Sequence, residues 1–117
     1  MEEGFILTID VGTTGCKVIL FDKYGRIVSK GNSYFDTKYS HVHWAEQNPE
    51  DWWRATVYAI KHALHKVDPK KVIGISLTGQ MSGVVLIDEN KKAIRPCIIW
   101  MDRRAIKQAE EFKKRGF

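Results

Sequence analysis

The sequence predicts an α/β domain: a three-stranded antiparallel meander, extended by a parallel strand, with flanking helices. Three observations carry this prediction. Phe5–Val11, Cys16–Asp22 and Ile27–Phe35 are successive runs rich in β-branched, aromatic and other apolar residues, separated only by short turns. Asn48-Pro49-Glu50-Asp51 is a helix-start signal, followed by apolar residues at helical spacing. A further apolar run, Lys71–Leu77, follows that helix, and a helical crossover makes it parallel to an earlier strand.

Each element has a local reason. The first two runs carry apolar residues on both faces, as central strands do. Asp22-Lys23-Tyr24-Gly25-Arg26 is a hairpin turn with Gly at its left-handed position. Ile27–Phe35 is more polar, and Lys30 and Gly31 suit an edge strand. After an irregular stretch, Asp36–Gln47, Asn48 caps a helix, Pro49 fits its first turn, and Glu50 and Asp51 meet its positive end. Trp53, Val57, Ile60, Leu64 and Val67 predict its buried face, and Asp68-Pro69 its end. Beyond the Lys71–Leu77 strand lies a polar loop, Thr78–Gly83. A strand over Val84–Asp88, a turn at Glu89–Lys92 and an extended run over Ile94–Trp100 follow. A last helix is expected over Arg103–Arg115, burying Ile106, Ala109 and Phe112.

Composition narrows the function classes. A chain of 117 residues is one domain or part of one. No apolar run approaches the roughly 20 residues of a membrane span, and the acidic Met1-Glu2-Glu3 start is unlike a secretory signal. Cys16 and Cys97 stand far apart, without zinc spacing, which suits a reducing, cytoplasmic setting. The net charge of +5 is spread over turns and helix ends and reads as a solvated surface rather than a nucleic-acid stripe. It also favours anionic phosphates. His41 and His43 lack a third nearby ligand, and His62 and His65 fall on the helix, so no metal site is read from them.

The segment Ile9-Asp10-Val11-Gly12-Thr13-Thr14-Gly15-Cys16-Lys17 carries the chemistry. It is an acid at a strand end, a Gly- and Thr-rich turn, and a lysine on the next strand. The Walker string is absent, and both the Walker loop and the dinucleotide fingerprint open helices, whereas Cys16–Phe21 reads as a strand. Gly12 and Gly15 permit a tight turn that exposes N–H groups to an anion. Thr13 and Thr14 add hydroxyl donors, Lys17 adds a point charge, and Asp10 can hold the magnesium of a nucleoside triphosphate. An ordinary hairpin turn remains the plain alternative. Gln80 and Ser82 both donate and accept, as a sugar hydroxyl requires, and Met81 offers an apolar contact or fills the core. Trp100, Asp102 and Arg104 alternate with a period of two and share one side if the backbone stays extended. An indole packs on sugar C–H groups and a carboxylate beside it fixes hydroxyls, though Asp102 is equally placed to cap the last helix.

Four strings in order sharpen this reading. They are Ile9–Lys17, Trp44–Trp53, Ser76-Leu77-Thr78-Gly79-Gln80-Met81-Ser82-Gly83, and Arg95-Pro96-Cys97-Ile98-Ile99-Trp100-Met101-Asp102-Arg103-Arg104. Together they resemble the N-terminal part of the FGGY carbohydrate kinases, nearest to xylulokinases and gluconokinases. The resemblance implies a ribonuclease-H-like fold, shared with actin, the Hsp70 chaperones and hexokinase. It implies ATP-dependent phosphorylation of a sugar, sugar acid or polyol, with ATP and Mg²⁺ as cofactors. Asp10 would be the catalytic residue of this stretch, positioning Mg²⁺. Gly12, Thr13 and Thr14 would touch the phosphates, Lys17 would face the β/γ-phosphate region, and Gln80, Met81 and Ser82 would contact the acceptor.

The implied partner is a small molecule, with no nucleic acid or membrane, and a homodimer of the full-length protein is allowed. Residues 1–117 would be the N-terminal part of the first kinase domain, without the second, nucleotide-binding domain or the downstream catalytic aspartate. The isolated chain is then expected to be inactive. Ser82 stands where xylulokinases usually read histidine, and the Arg-Glu pair of the glycerol kinase pattern is absent, which points away from glycerol. Two other classes remain open at this point: an actin- or Hsp70-type ATP-switched binding protein, and a ribonuclease-H-like nuclease.

Overall fold

A computed structural model describes residues 4–117. In chain order its elements are β1 (Phe5–Val11), β2 (Gly15–Asp22), β3 (Ile27–Tyr34), β4 (Glu46–Gln47), α1 (Pro49–Ala63), β5 (Val72–Gly79), β6 (Cys97–Ile98) and α2 (Ile106–Lys114). They fall into two units. One holds the chain up to Asp36 together with Glu50–Gln80, and the other holds Thr37–Pro49 with Met81–Phe117.

In the first unit the meander forms as the sequence predicts. β1 and β2 pair antiparallel, with Thr8 opposite Ile19 and Asp10 opposite Lys17. β2 and β3 pair antiparallel, with Lys17 opposite Asn32 and Val18 opposite Gly31. The Asp22 carboxylate closes the β2–β3 turn: its Oδ1 accepts the N–H groups of Tyr24 at 2.8 Å and Arg26 at 3.0 Å. Gly25 has φ +77°, the left-handed value that favours glycine. β5 lies parallel beside β1, giving the sheet order β3-β2-β1-β5. The expected strand over Lys71–Leu77 is therefore present, two residues longer at its C-terminal end.

Strand alternation sorts side chains between the two faces. Leu7, Ile9, Cys16, Val18 and Leu20 are buried on one face, against Ala55, Ala59 and Ala63 of α1. The fully buried stripe of the helix is thus made of alanines four residues apart, and of the larger side chains expected there Ile60, Leu64 and Val67 pack against this core partly buried. Trp53 is 69% exposed, because at 100° per residue it lies about 200° round the helix from Ala55. Val57, at the same angular offset from the alanines, is half-buried but does not belong to this core.

Small residues are required because helix and sheet approach closely. A Cβ placed on Gly31 would stand 2.0 Å from the carbonyl oxygen of Ala59. Ser29, two residues earlier on the same face, donates its hydroxyl to the carbonyl of Ala63 at 2.5 Å. That satisfies an acceptor left orphaned by the helix end. α1 stops at Ala63, earlier than Asp68-Pro69 suggested. Asp68 instead caps a short 3-10 turn, Pro69–Lys71, by accepting the N–H of Lys70. Register puts Ile75 and Leu77 on the face of Leu7 and Ile9, but they are 64% and 73% exposed because they lie beyond the alanine line.

The second unit has little regular structure. β4 and β6 pair antiparallel, Glu46 with Ile98 and Gln47 with Cys97. Ala45, Gln47, Cys97 and Ile99 are its buried residues. Gln47 is the polar member, and its amide donates to the Thr37 hydroxyl at 2.7 Å.

Three expectations are corrected here. Val84–Asp88 is not a strand and joins its neighbours only through single bridges, Val84 with Ile98 and Ile87 with Ala93. The run over Ile94–Trp100 pairs as a ladder only at Cys97–Ile98, since Pro96 has no N–H to donate. α2 begins at Ile106 rather than Arg103, and none of its residues is buried: Ile106 is 42% and Phe112 60% exposed. The helical pattern is sound, but its apolar side stays largely exposed, with Phe112 in edge-on contact with Phe117. No described helix is long and apolar enough to cross a membrane.

Candidate functional site

The β1–β2 hairpin opens a groove at one end of the first unit. Asp10, Gly12, Thr14, Lys17, Asn32 and Tyr34 line it. The register explains why they meet. Thr78, Asp10, Lys17 and Asn32 are successive partners across β5, β1, β2 and β3. They form one polar row on the face away from α1, with neighbouring side chains about 5 Å apart. All four are exposed. Parallel β1 and β5 both end here at their C-terminal ends, where open α/β sheets bind ligands.

The hairpin differs in detail from expectation. The N–H of Gly12 donates to the carbonyl of Gly15 at 2.9 Å, so it closes the turn and does not face an anion. Neither Gly12 nor Gly15 adopts a positive φ. Gly15 is needed for packing: a Cβ there would lie 2.3 Å from the Ser33 carbonyl of β3. At Gly12 an added Cβ would meet only ordinary contacts, the Gly15 carbonyl oxygen at 3.4 Å and the Asp10 carboxylate at 4.0 Å, so neither packing nor φ demands glycine there. Thr13 and Thr14 stand at the tip of the turn, and the carbonyl of Thr14 is held by the N–H of Phe35 at 3.3 Å.

Asp10 and Lys17 are register partners, yet neither makes an ion pair or side-chain hydrogen bond among the described residues. Mg²⁺ usually takes one or two carboxylates and completes its shell with phosphate oxygens and water. A single exposed carboxylate beside a Thr-tipped turn and a lysine suits an ion that arrives with a polyphosphate. Among the described residues no cluster of three or more His, Cys, Asp or Glu side chains could hold a metal. On the buried face behind the hairpin, Cys16 accepts no ionic role. Burial pushes its thiol up, the Thr56 hydroxyl offsets this in part, and the Asp10 charge adds to the rise.

The second unit holds a polar cluster of the opposite kind. The Arg104 guanidinium donates to both oxygens of Asp102, at 2.9 Å and 3.0 Å from Nε, and to Glu46 at 2.9 Å from Nη2. It also stacks on Trp44, 3.7 Å from the ring centroid. Asp102 Oδ2 accepts the backbone N–H of Ala45 at 2.6 Å, and its Oδ1 accepts the N–H of Arg104 at 3.0 Å. The Asp102 side chain is 3% exposed, and the Arg104 guanidinium holds its carboxyl well below the usual carboxylate range. Arg95 adds a second pair to Glu46.

The backbone is not extended between Trp100 and Asp102. The N–H of Asp102 returns to the carbonyl of Ile99 at 2.9 Å, forming a turn with Trp100 at its second position. Trp100 is 56% exposed while Asp102 points inward, so the period-two arrangement does not hold. Asp102 does not cap α2 either, where Ala105 stands at the N-cap position without a side-chain bond. In the polar loop, Met81 is 80% exposed and fills no core, and Ser82 adopts φ +65°. The N–H of Gln80 extends the β1–β5 pairing by donating to Val11 at 2.9 Å. Sequence reading missed Asn32, Tyr34 and Arg95. The Asp22 turn fixes the β2–β3 register, and that register was the signal for Asn32.

The model of the FGGY family of carbohydrate kinases, N-terminal domain, matches residues 5–117. The chain is 34% identical over 110 residues to the xylulose kinase of Staphylococcus xylosus, covering 94% of this chain and 23% of that protein. It is 35% identical over 114 residues to the glycerol kinase of Thermococcus gammatolerans, covering 96% of this chain and 23% of that protein. The solved gluconate kinase of Lactobacillus acidophilus superposes with a TM-score of 0.92 at 28% identity, over 98% of this chain and 23% of that one. The chain thus spans about 23% of the length of the curated relatives it matches. Structural likeness to these sugar kinases fixes the fold as the actin and Hsp70 type expected from the resemblance.

Proposed function

This chain belongs to the FGGY family of carbohydrate kinases, and from that premise we propose that its full-length protein transfers the terminal phosphoryl group of ATP to a hydroxyl of a sugar, sugar acid or polyol. Residues 1–117 serve as the N-terminal part of the first kinase domain. The observation that carries the reading is the polar row at the hairpin groove. Asp10 and Lys17 face each other there, exposed and without protein partners among the described residues.

Phosphoryl transfer depends on positioning and charge stabilisation more than on covalent chemistry by the protein. Mg²⁺, when bound, neutralises charge on the phosphate oxygens, and Asp10 is the residue that would hold it. Thr13 and Thr14 donate to the phosphate chain at the turn tip, and Gly12 lines the groove beside them. Lys17 balances the charge of the β/γ region. Gln80, Met81 and Ser82 present donors, acceptors and an apolar surface to the acceptor, and Trp100 offers its exposed indole to sugar C–H groups. Asp102 and Arg104 serve the acceptor through the turn that carries Trp100. The proton of the attacking hydroxyl goes to a base outside these residues, so the isolated chain lacks turnover. A cytoplasmic setting and a homodimer belong to the same reading of the full-length protein.

Relatives acting on xylulose and on glycerol match the chain about equally. The acceptor therefore rests on local residues: Ser82 and the missing Arg-Glu pair still argue against glycerol. The test is ADP release by the full-length protein over a panel of D-xylulose, gluconate, glycerol and related polyols. Stimulation by one or more acceptors is the expected result, and a flat response across the panel rejects the reading.

A further inference from the structure

We infer that Asn32 is a further phosphate-contacting residue of the hairpin groove, a role that rests on the kinase reading above. Its place in the fold is well defined. It sits on β3 directly opposite Lys17, which in turn sits opposite Asp10. Its side chain shares their face and lines the same groove as Gly12 and Thr14.

The residue type is informative. Asparagine is depleted in strands, and here it occupies the sixth of the eight residues of a strand. Its amide makes no hydrogen bond to protein among the described residues. Polar neighbours on β3 are explained differently: Ser29 bonds the end of α1, and Lys30 lies outside the groove lining. An amide is bipolar. With a polyphosphate in the groove, its NH₂ would donate to a phosphate oxygen, leaving its carbonyl free to accept from the Lys17 ammonium across the strand pair. Asn32 thereby extends the donor set of the row across a third strand. A carboxylate of the same shape would do the reverse, placing negative charge against the phosphate chain.

That reversal supplies the test. In the full-length protein, Asn32→Asp, Asn32→Ala and Lys30→Ala are titrated with ATP in the presence of magnesium by calorimetry, beside Asp10→Asn and Lys17→Met. Asn32→Asp is expected to weaken ATP binding about tenfold or more and Asn32→Ala about threefold to fivefold. Lys30→Ala should match the wild type, and the melting temperature of ligand-free protein should stay level across the Asn32 variants. A merely structural role would not separate Asp from Ala by the sign of charge. ATP affinity within twofold of wild type for Asn32→Asp, with Asp10→Asn and Lys17→Met impaired, overturns the inference alone. If those two variants also bind ATP normally, the phosphate reading of the hairpin falls, and the role of Asn32 with it.

Discussion

Two polar clusters of similar composition meet opposite fates in this molecule. In the second unit Asp102, Arg104, Glu46 and Arg95 satisfy one another, and Asp102 is all but inaccessible. In the first, Asp10, Lys17 and Asn32 stand in register across three strands and make no side-chain bonds among the described residues. A folded chain tolerates charged groups inside only when they are paired, so the closed cluster reads as scaffold. On the proposed reading, the groups held side by side in the groove without using one another receive a ligand. Exposure alone would not separate the clusters, since surface charges are common. Mutual placement without mutual bonding does.

The contrast breaks most readily at Asp10. Asp10→Asn in the full-length protein should lower kcat roughly 100-fold or more, with the melting temperature unchanged. A fall in melting temperature of comparable weight would mean that the carboxylate is structural after all. Asp102→Asn should behave in the opposite sense, losing about 1.5–3 kcal/mol of stability, read by urea unfolding of the same protein. Acid sharpens the difference. Arg104 holds the folded-state pKa of Asp102 below the unfolded value near 3.9. The stabilisation is therefore complete above about pH 4 and is lost as pH falls through the folded pKa. Unfolding curves of wild type and Asp102→Asn should stay a constant distance apart from pH 5 to 8 and converge below about pH 4. The smallest effect belongs to Trp53, outside both clusters. Trp53→Ala should shift stability by less than about 0.5 kcal/mol, and a larger loss would show that its exposed ring is packed in the intact protein.

The parts of this architecture that were readable in advance are those decided locally. Alternation and turn chemistry specify β1, β2 and β3, and Asn48-Pro49 specifies the start of α1. The hairpin residues Asp10 and Lys17 were legible as neighbours because one short turn joins their strands. Features decided by distant contacts were not. The alanine stripe of α1 answers to the closeness of β3, which no helical periodicity announces. Asp102 and Arg104 look alike as ligand contacts or as scaffold until the turn at Ile99–Asp102 directs the carboxylate inward. Asn32 became visible only through strand register, two pairings away from the acid it accompanies.

Gly31 carries a consequence for how this region can change over evolutionary time. The atom crowding it is a backbone oxygen of Ala59, not that residue's methyl group. Trimming the opposing side chain therefore frees no space, and no second-site suppressor at position 59 can restore a variant with a larger residue at 31. Relief would demand moving the whole helix, and with it every buried neighbour at once. Libraries randomised at both positions together should return glycine at 31 whatever is recovered at 59.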